Sequence, residues 1–127
     1  MMRIQDRRFE VFGDGILEIC ETEERSLIKT KIENVRFGDR TVGVSRFWNA
    51  NTAGNKADRM VSVPLEICEK VFVGIQDIVN IKKGKLTGQY KIIQLQPKYD
   101  AKPPVLYLTL EKMMHPYKDM RTEDGKN

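Results

Sequence analysis

At 127 residues, 40% hydrophobic and 31% charged, the chain has the composition of one globular domain. A chain of that length buries roughly two thirds of its unfolded surface, enough for a core. The net charge of +4 favours solubility and is too small to indicate a nucleic-acid partner by itself. No stretch reaches the ~20 apolar residues of a membrane span. Residues 1–10 are polar and charged where a secretory signal carries an apolar block, so the expectation is a chain that is not exported and meets no membrane. Cys20 and Cys68 are far apart, and each adjoins an isoleucine, which predicts two buried reduced thiols and no disulfide.

In chain order, residues 8–12 and 16–21 read as strands flanking a Gly13-Asp14-Gly15 turn. Residues 26–37 alternate through Ile28, Thr30 and Ile32 and then change phase to Val35 and Phe37. One inserted residue has that effect, which predicts a β-bulge near Glu33 or Asn34. Phe37-Gly38-Asp39-Arg40 reads as a turn into a strand over residues 40–48, with Val42 and Val44 on one face. Residues 49–58 are small and polar, and a mobile loop is expected there. Residues 59–63 form a strand ended by Pro64.

Within residues 65–73, the spacing of Leu65, Cys68 and Val71 or Phe72 predicts one helical turn. A strand over residues 77–82 runs into a hairpin loop, residues 83–88. In residues 89–96, Ile93 and Leu95 share one face, and Tyr90, Ile92 and Gln94 share the other. Lys102-Pro103-Pro104 makes a stiff extended lead into residues 105–112, where Leu106, Leu108 and Leu110 alternate with Val105, Tyr107, Thr109 and Glu111. Residues 114–127 are charged and carry no core pattern. The reading is mainly β, a small barrel or sandwich of about seven or eight short strands. It comprises a single domain over residues 1–113 and a flexible C-terminal tail over residues 114–127.

Catalytic constellations are missing from this pattern. The one histidine, His115, precedes a proline in the expected tail, away from any Ser or Cys partner. Two distant cysteines and that histidine make no zinc site. Gly13-Asp14-Gly15 lacks the later glycine, lysine and helix of a phosphate loop. Glu21, Glu23 and Glu24 beside Arg25 read as a solvated strand end. No enzyme activity, cofactor or metal is expected. Lys82, Lys83 and Lys85, followed by Tyr90 and Lys91, are the candidate DNA-facing residues, weighed against a plain solvated hairpin tip.

Arg46-Phe47-Trp48-Asn49-Ala50 places two large aromatics at the mouth of the longest polar loop. Either the pair caps the core or one ring faces outward as an interface anchor. Tyr99 and Tyr117 stay open between packing and interface in the same way. The ordered run Val35-Arg36-Phe37-Gly38-Asp39-Arg40-Thr41-Val42-Gly43-Val44-Ser45-Arg46-Phe47-Trp48-Asn49-Ala50 continues through Asp58-Arg59-Met60-Val61-Ser62-Val63-Pro64. With Gln89-Tyr90-Lys91-Ile92-Ile93-Gln94-Leu95-Gln96, Asp100, Lys102-Pro103-Pro104 and Leu108-Thr109-Leu110-Glu111-Lys112, it resembles a family of small phage proteins. These are the head-tail joining, or head-closure (neck), proteins of tailed phages and prophages of low-GC Gram-positive bacteria. The resemblance spans roughly residues 35–112.

The resemblance implies a structural virion protein located between head and tail and assembled in the bacterial host cytoplasm. Its partners would be further copies of itself in a ring, commonly of about twelve subunits. Portal-adaptor proteins, tail-terminator or tail proteins, and double-stranded DNA passing through without sequence specificity complete the set. On that reading, Phe47, Trp48, Asn49, Asn51, Asn55, Lys56 and Arg59 form the subunit or partner interface. The alternatives are a small nucleic-acid-binding barrel, a tail-terminator or tail-tube subunit, and a collar protein of a phage-derived particle.

Overall fold

Strict alternation organises the first strand of the computed structural model, which describes residues 11–40 and 57–121. In β1 (Gly15–Glu23), Leu17 and Ile19 enter the core, while Glu18 and Cys20 point to the opposite face. β1 pairs on one side with β2 (Ser26–Arg40) and on the other with β4 (Ile78–Gly84). From β4 the ladder passes to β5 (Gly88–Lys98), β6 (Val105–Lys112) and β3 (Arg59–Pro64), and then returns to the end of β2. All these pairings are antiparallel, and through them six strands close a ring. The chain is therefore mainly β, as expected, and builds a small barrel. β7 (Lys118–Asp119) is a two-residue strand lying parallel on Ser26 and Leu27 of β2.

β2 closes the ring because it bends. Leu17 faces Val35 while Ile19 faces Ile32, so Glu33 and Asn34 oppose the single residue Glu18. This is the expected bulge, and Asn34 sits in it at φ 58, a left-handed conformation that asparagine tolerates. Two more register shifts follow toward the start of β2, at Lys31 and Ile28. Bulges bend a strand and increase its twist. Here they let one strand serve β1 along most of its length and β3 at Gly38, Asp39 and Arg40. The expected turn at residues 37–40 is thus corrected to strand. At Gly38 any Cβ would collide with the Val11 carbonyl, which accounts for the glycine.

The core gathers Leu17, Ile19, Val35, Phe37, Val61, Val63, Val79, Ile81, Tyr90, Ile92, Leu106, Leu108 and Leu110. Each fully buried aliphatic side chain contributes roughly 1.5–3 kcal/mol. β6 behaves as its alternation predicts. β5 differs: Ile92 pairs with Leu110 and Gln94 with Thr109, leaving Ile93 as an extra residue. That bulge returns Leu95 to the side of Tyr90 and Ile92, against the core. The expected Ile93–Leu95 face is broken there.

Three further differences concern the connections. Val11 and Phe12 lie outside any strand, and the rest of the expected residue 8–12 strand falls outside the described residues. The helical turn over Leu65–Glu69 is 3-10, with Leu65 N–H bonded to the Pro104 carbonyl at 3.0 Å. Cys20 is buried as expected, but Cys68 is exposed on that turn. Residues 114–121 do not trail away as a free tail: β7 adds to β2, and Arg121 is buried. No helix among the described residues is long and apolar enough to cross a membrane.

Candidate functional site at the mouth of the barrel

One end of the barrel is closed by a charged side chain. Arg59, the first residue of β3, pairs directly with Leu110, whose side chain enters the core. Cross-strand partners point to the same face. Arg59 is therefore turned inward, and it is only 8% exposed. Its guanidinium stacks over the rings of Phe37 at 5.4 Å and Tyr90 at 5.6 Å. Nε and Nη2 lie 2.9 and 2.8 Å from Asp39 Oδ1. Nη1 donates to the carbonyls of Lys85 (2.8 Å) and Leu86 (3.2 Å) and approaches the Tyr90 hydroxyl at 3.3 Å. Tyr90 in turn donates to the Leu86 carbonyl at 2.7 Å.

This arrangement ties the end of β2, the start of β3 and the β4–β5 loop into one unit. Lys112 reinforces it, with Nζ 4.8 Å from the Tyr90 ring centre and 3.2 Å from the Thr87 carbonyl. Its own N–H donates to Asp58 Oδ2 at 2.8 Å. Among the described residues, a recess of about 600 Å³ lies here, bordered by Arg40, Arg59, Lys85 and Lys112 against Asp39 and Asp58. Cations outnumber carboxylates around it, so the mouth favours anionic groups. Arg40 and Ala57 bracket the connection between β2 and β3 at this same end.

The expected site residues therefore separate. Phe47, Trp48, Asn49, Asn51, Asn55 and Lys56 lie outside the described residues. Arg59, expected in the subunit or partner interface, is instead engaged within the barrel mouth, where it bonds Asp39 and the Lys85 and Leu86 carbonyls. Lys85 is exposed at the mouth. Lys83 is exposed on the outer wall, in the row Arg36, Ile16, Lys83 across β2, β1 and β4. Lys82 leans elsewhere, with Nζ 3.9 Å from Glu18 Oε2. Tyr90 is 2% exposed and offers no ring for base stacking. The barrel's other end carries an apolar groove bordered by Pro64, Leu65, Pro97, Pro104 and Leu106, where Cys68 and the exposed Tyr99 also lie.

A second polar cluster, absent from the sequence reading, sits on the outer wall. Glu18 and Asn80 are cross-strand partners, as are Cys20 and Thr30, so their side chains share the outward face. Arg121 covers them. Its Nη1 is 2.8 Å from Glu18 Oε2, 2.8 Å from Thr30 Oγ1 and 3.5 Å from Cys20 Sγ. Nε and Nη2 hold Asp119 at 2.9 and 2.8 Å, and Asn80 Nδ2 donates to Glu18 at 3.0 Å. Burial and the neighbouring Glu18 carboxylate push the Cys20 thiol up to about 11. The only local hint was a glutamate inside an otherwise apolar run, Ile16 to Cys20.

Among the described residues no three His, Cys, Asp or Glu side chains gather as metal ligands, and His115 is exposed. The chain matches no protein-family model, no curated protein sequence and no solved structure.

Proposed function

We propose that the protein is a structural, non-catalytic virion protein of the neck of a tailed phage. It forms a ring that joins the portal-adaptor assembly to the tail and closes the DNA-filled head. The observation that carries this reading is the cation-rich barrel mouth, tied together by Arg59, from which the β2–β3 connection departs and to which it returns. Six strands closed into a ring turn mainly their connections and outer walls to other molecules. The β2–β3 connection carries Phe47, Trp48, Asn49, Asn51, Asn55 and Lys56, and it is the natural partner-contacting element on such a frame. Lys83 and Lys85 supply exposed charge for a DNA backbone passing without sequence readout.

A single-strand-binding barrel is the second reading, favoured by the exposure of Lys82, Lys83 and Lys85. The burial of Tyr90 weighs against it, because base stacking needs an open ring. A tail-terminator, tail-tube or collar role uses the same surfaces. Deleting the reading frame from the element that encodes it distinguishes these. The neck reading expects filled heads and finished tails that fail to join. Joined particles in normal yield would contradict it.

A further inference from the structure

We propose that the apolar groove at the barrel end opposite Arg59 docks a peptide segment of another protein, one whose aromatic or aliphatic residues are flanked by arginine or lysine. The inference goes beyond the neck reading and does not rest on it. The 3-10 helix Leu65–Glu69 contributes Leu65, Glu66, Cys68 and Glu69 to the groove. Side chains three positions apart eclipse one another in such a helix. Leu65 and Cys68 therefore form one line, and Glu66 and Glu69 form another beside it. Ile67 is buried in the core, and Leu65 N–H bonds to the Pro104 carbonyl at 3.0 Å. Both lines are thus set before a ligand arrives.

The lining specifies the chemistry of the ligand. Pro64, Pro97, Pro103 and Pro104 border the groove and have no N–H to donate. A carboxylate likewise only accepts. Among the described residues, no Lys, Arg or His borders the groove. Glu66 and Glu69 are exposed, and neither side chain takes a hydrogen bond or ion pair among the described residues. Apolar surface beside two unpaired carboxylates complements apolar side chains beside a guanidinium or ammonium, and it repels a nucleic-acid backbone. Tyr99 is 74% exposed at this site, an aromatic of the kind that anchors protein interfaces. The volume, about 750 Å³, is enough for a short run of side chains, since ligand pockets span roughly 300–1,000 Å³.

Selection from a displayed library of random short peptides against the full-length chain tests the proposal. Enriched sequences should place arginine or lysine beside aromatic or aliphatic residues. The same peptides, synthesised, should bind a Glu66→Lys, Glu69→Lys double variant at least about tenfold more weakly, and should lose affinity in about 1 M salt. Both carboxylates are exposed, so that variant should unfold at the original midpoint. Saturating peptide should also slow alkylation of Cys68, which is exposed in the groove. Enriched sequences without a basic residue, affinity unchanged in the double variant and in salt, or unchanged Cys68 alkylation each overturn the proposal. A library that yields no binder, the groove being taken by another part of the chain or by a second copy, overturns it as well.

Discussion

Arg121 reaches back 103 positions along the chain to place Nη1 2.8 Å from Glu18 Oε2, with both side chains all but closed to solvent. A buried pair of this kind is strongly coupled to its surroundings, because removing one partner strands the other charge. Here the stranded group keeps a partner, because Asn80 still donates to Glu18. Arg121→Ala should therefore cost about 2 kcal/mol, below the roughly 3–5 kcal/mol usual for broken buried pairs. Urea unfolding measures it. Replacing both residues, Glu18→Leu with Arg121→Met, should recover most of the loss.

The thiols beneath and beyond this pair should behave differently. Cys20 is buried, with its thiol pushed up to about 11, whereas Cys68 is exposed. Alkylation at pH 8 should modify Cys68 first, and mass spectrometry of the digested protein reads the order. The same shift has a consequence for stability. An unfolded chain releases the thiol proton near 9, the folded chain near 11, so the unfolded state binds fewer protons between them. Stability from this group is complete below pH 9 and falls as pH rises through 11, by about 2–3 kcal/mol. Cys20→Ala should abolish that part of the alkaline loss, seen as a smaller drop in unfolding midpoint between pH 8.5 and pH 11.

Arg59 holds the barrel mouth through two rings, one carboxylate and two loop carbonyls. Arg59→Ala leaves those carbonyls and Asp39 without their shared donor and should destabilise the fold by about 3 kcal/mol. Arg59→Lys should restore less than about half of that, since an ammonium cannot stack on both rings while serving separate acceptors. Denaturant midpoints of the three proteins provide the comparison.

Asn34 occupies the bulge at φ 58. Asn34→Val forces a β-branched side chain into the left-handed region and should cost about 1–2 kcal/mol, while Asn34→Gly should be close to neutral. Thermal melts resolve the two.

How much of this could be read in advance depended on the range of the interaction. The bounds of β6 followed from its leucine alternation, and the Asn34 bulge from a phase change visible within residues 28–37. The β5 bulge at Ile93 was hidden, because isoleucine and leucine suit either face of a pleat. Phe37-Gly38-Asp39-Arg40 has turn composition, yet its glycine answers a close approach by Val11 and not a reversal of the chain. Arg59 reads locally as a surface residue. Its interior role exists only once Phe37 and Tyr90, distant in sequence, meet at the mouth. Arg121 lies in a segment with no periodicity, and one side chain entering one slot leaves no repeating signal.

The neck assignment is tested most directly by the protein's mass in solution, measured by light-scattering chromatography alone and with a purified portal-adaptor complex. The account predicts that the chain joins that complex as a ring of defined copy number. A chain that elutes at 14.7 kDa in both experiments, leaving the adaptor complex unchanged, would contradict it.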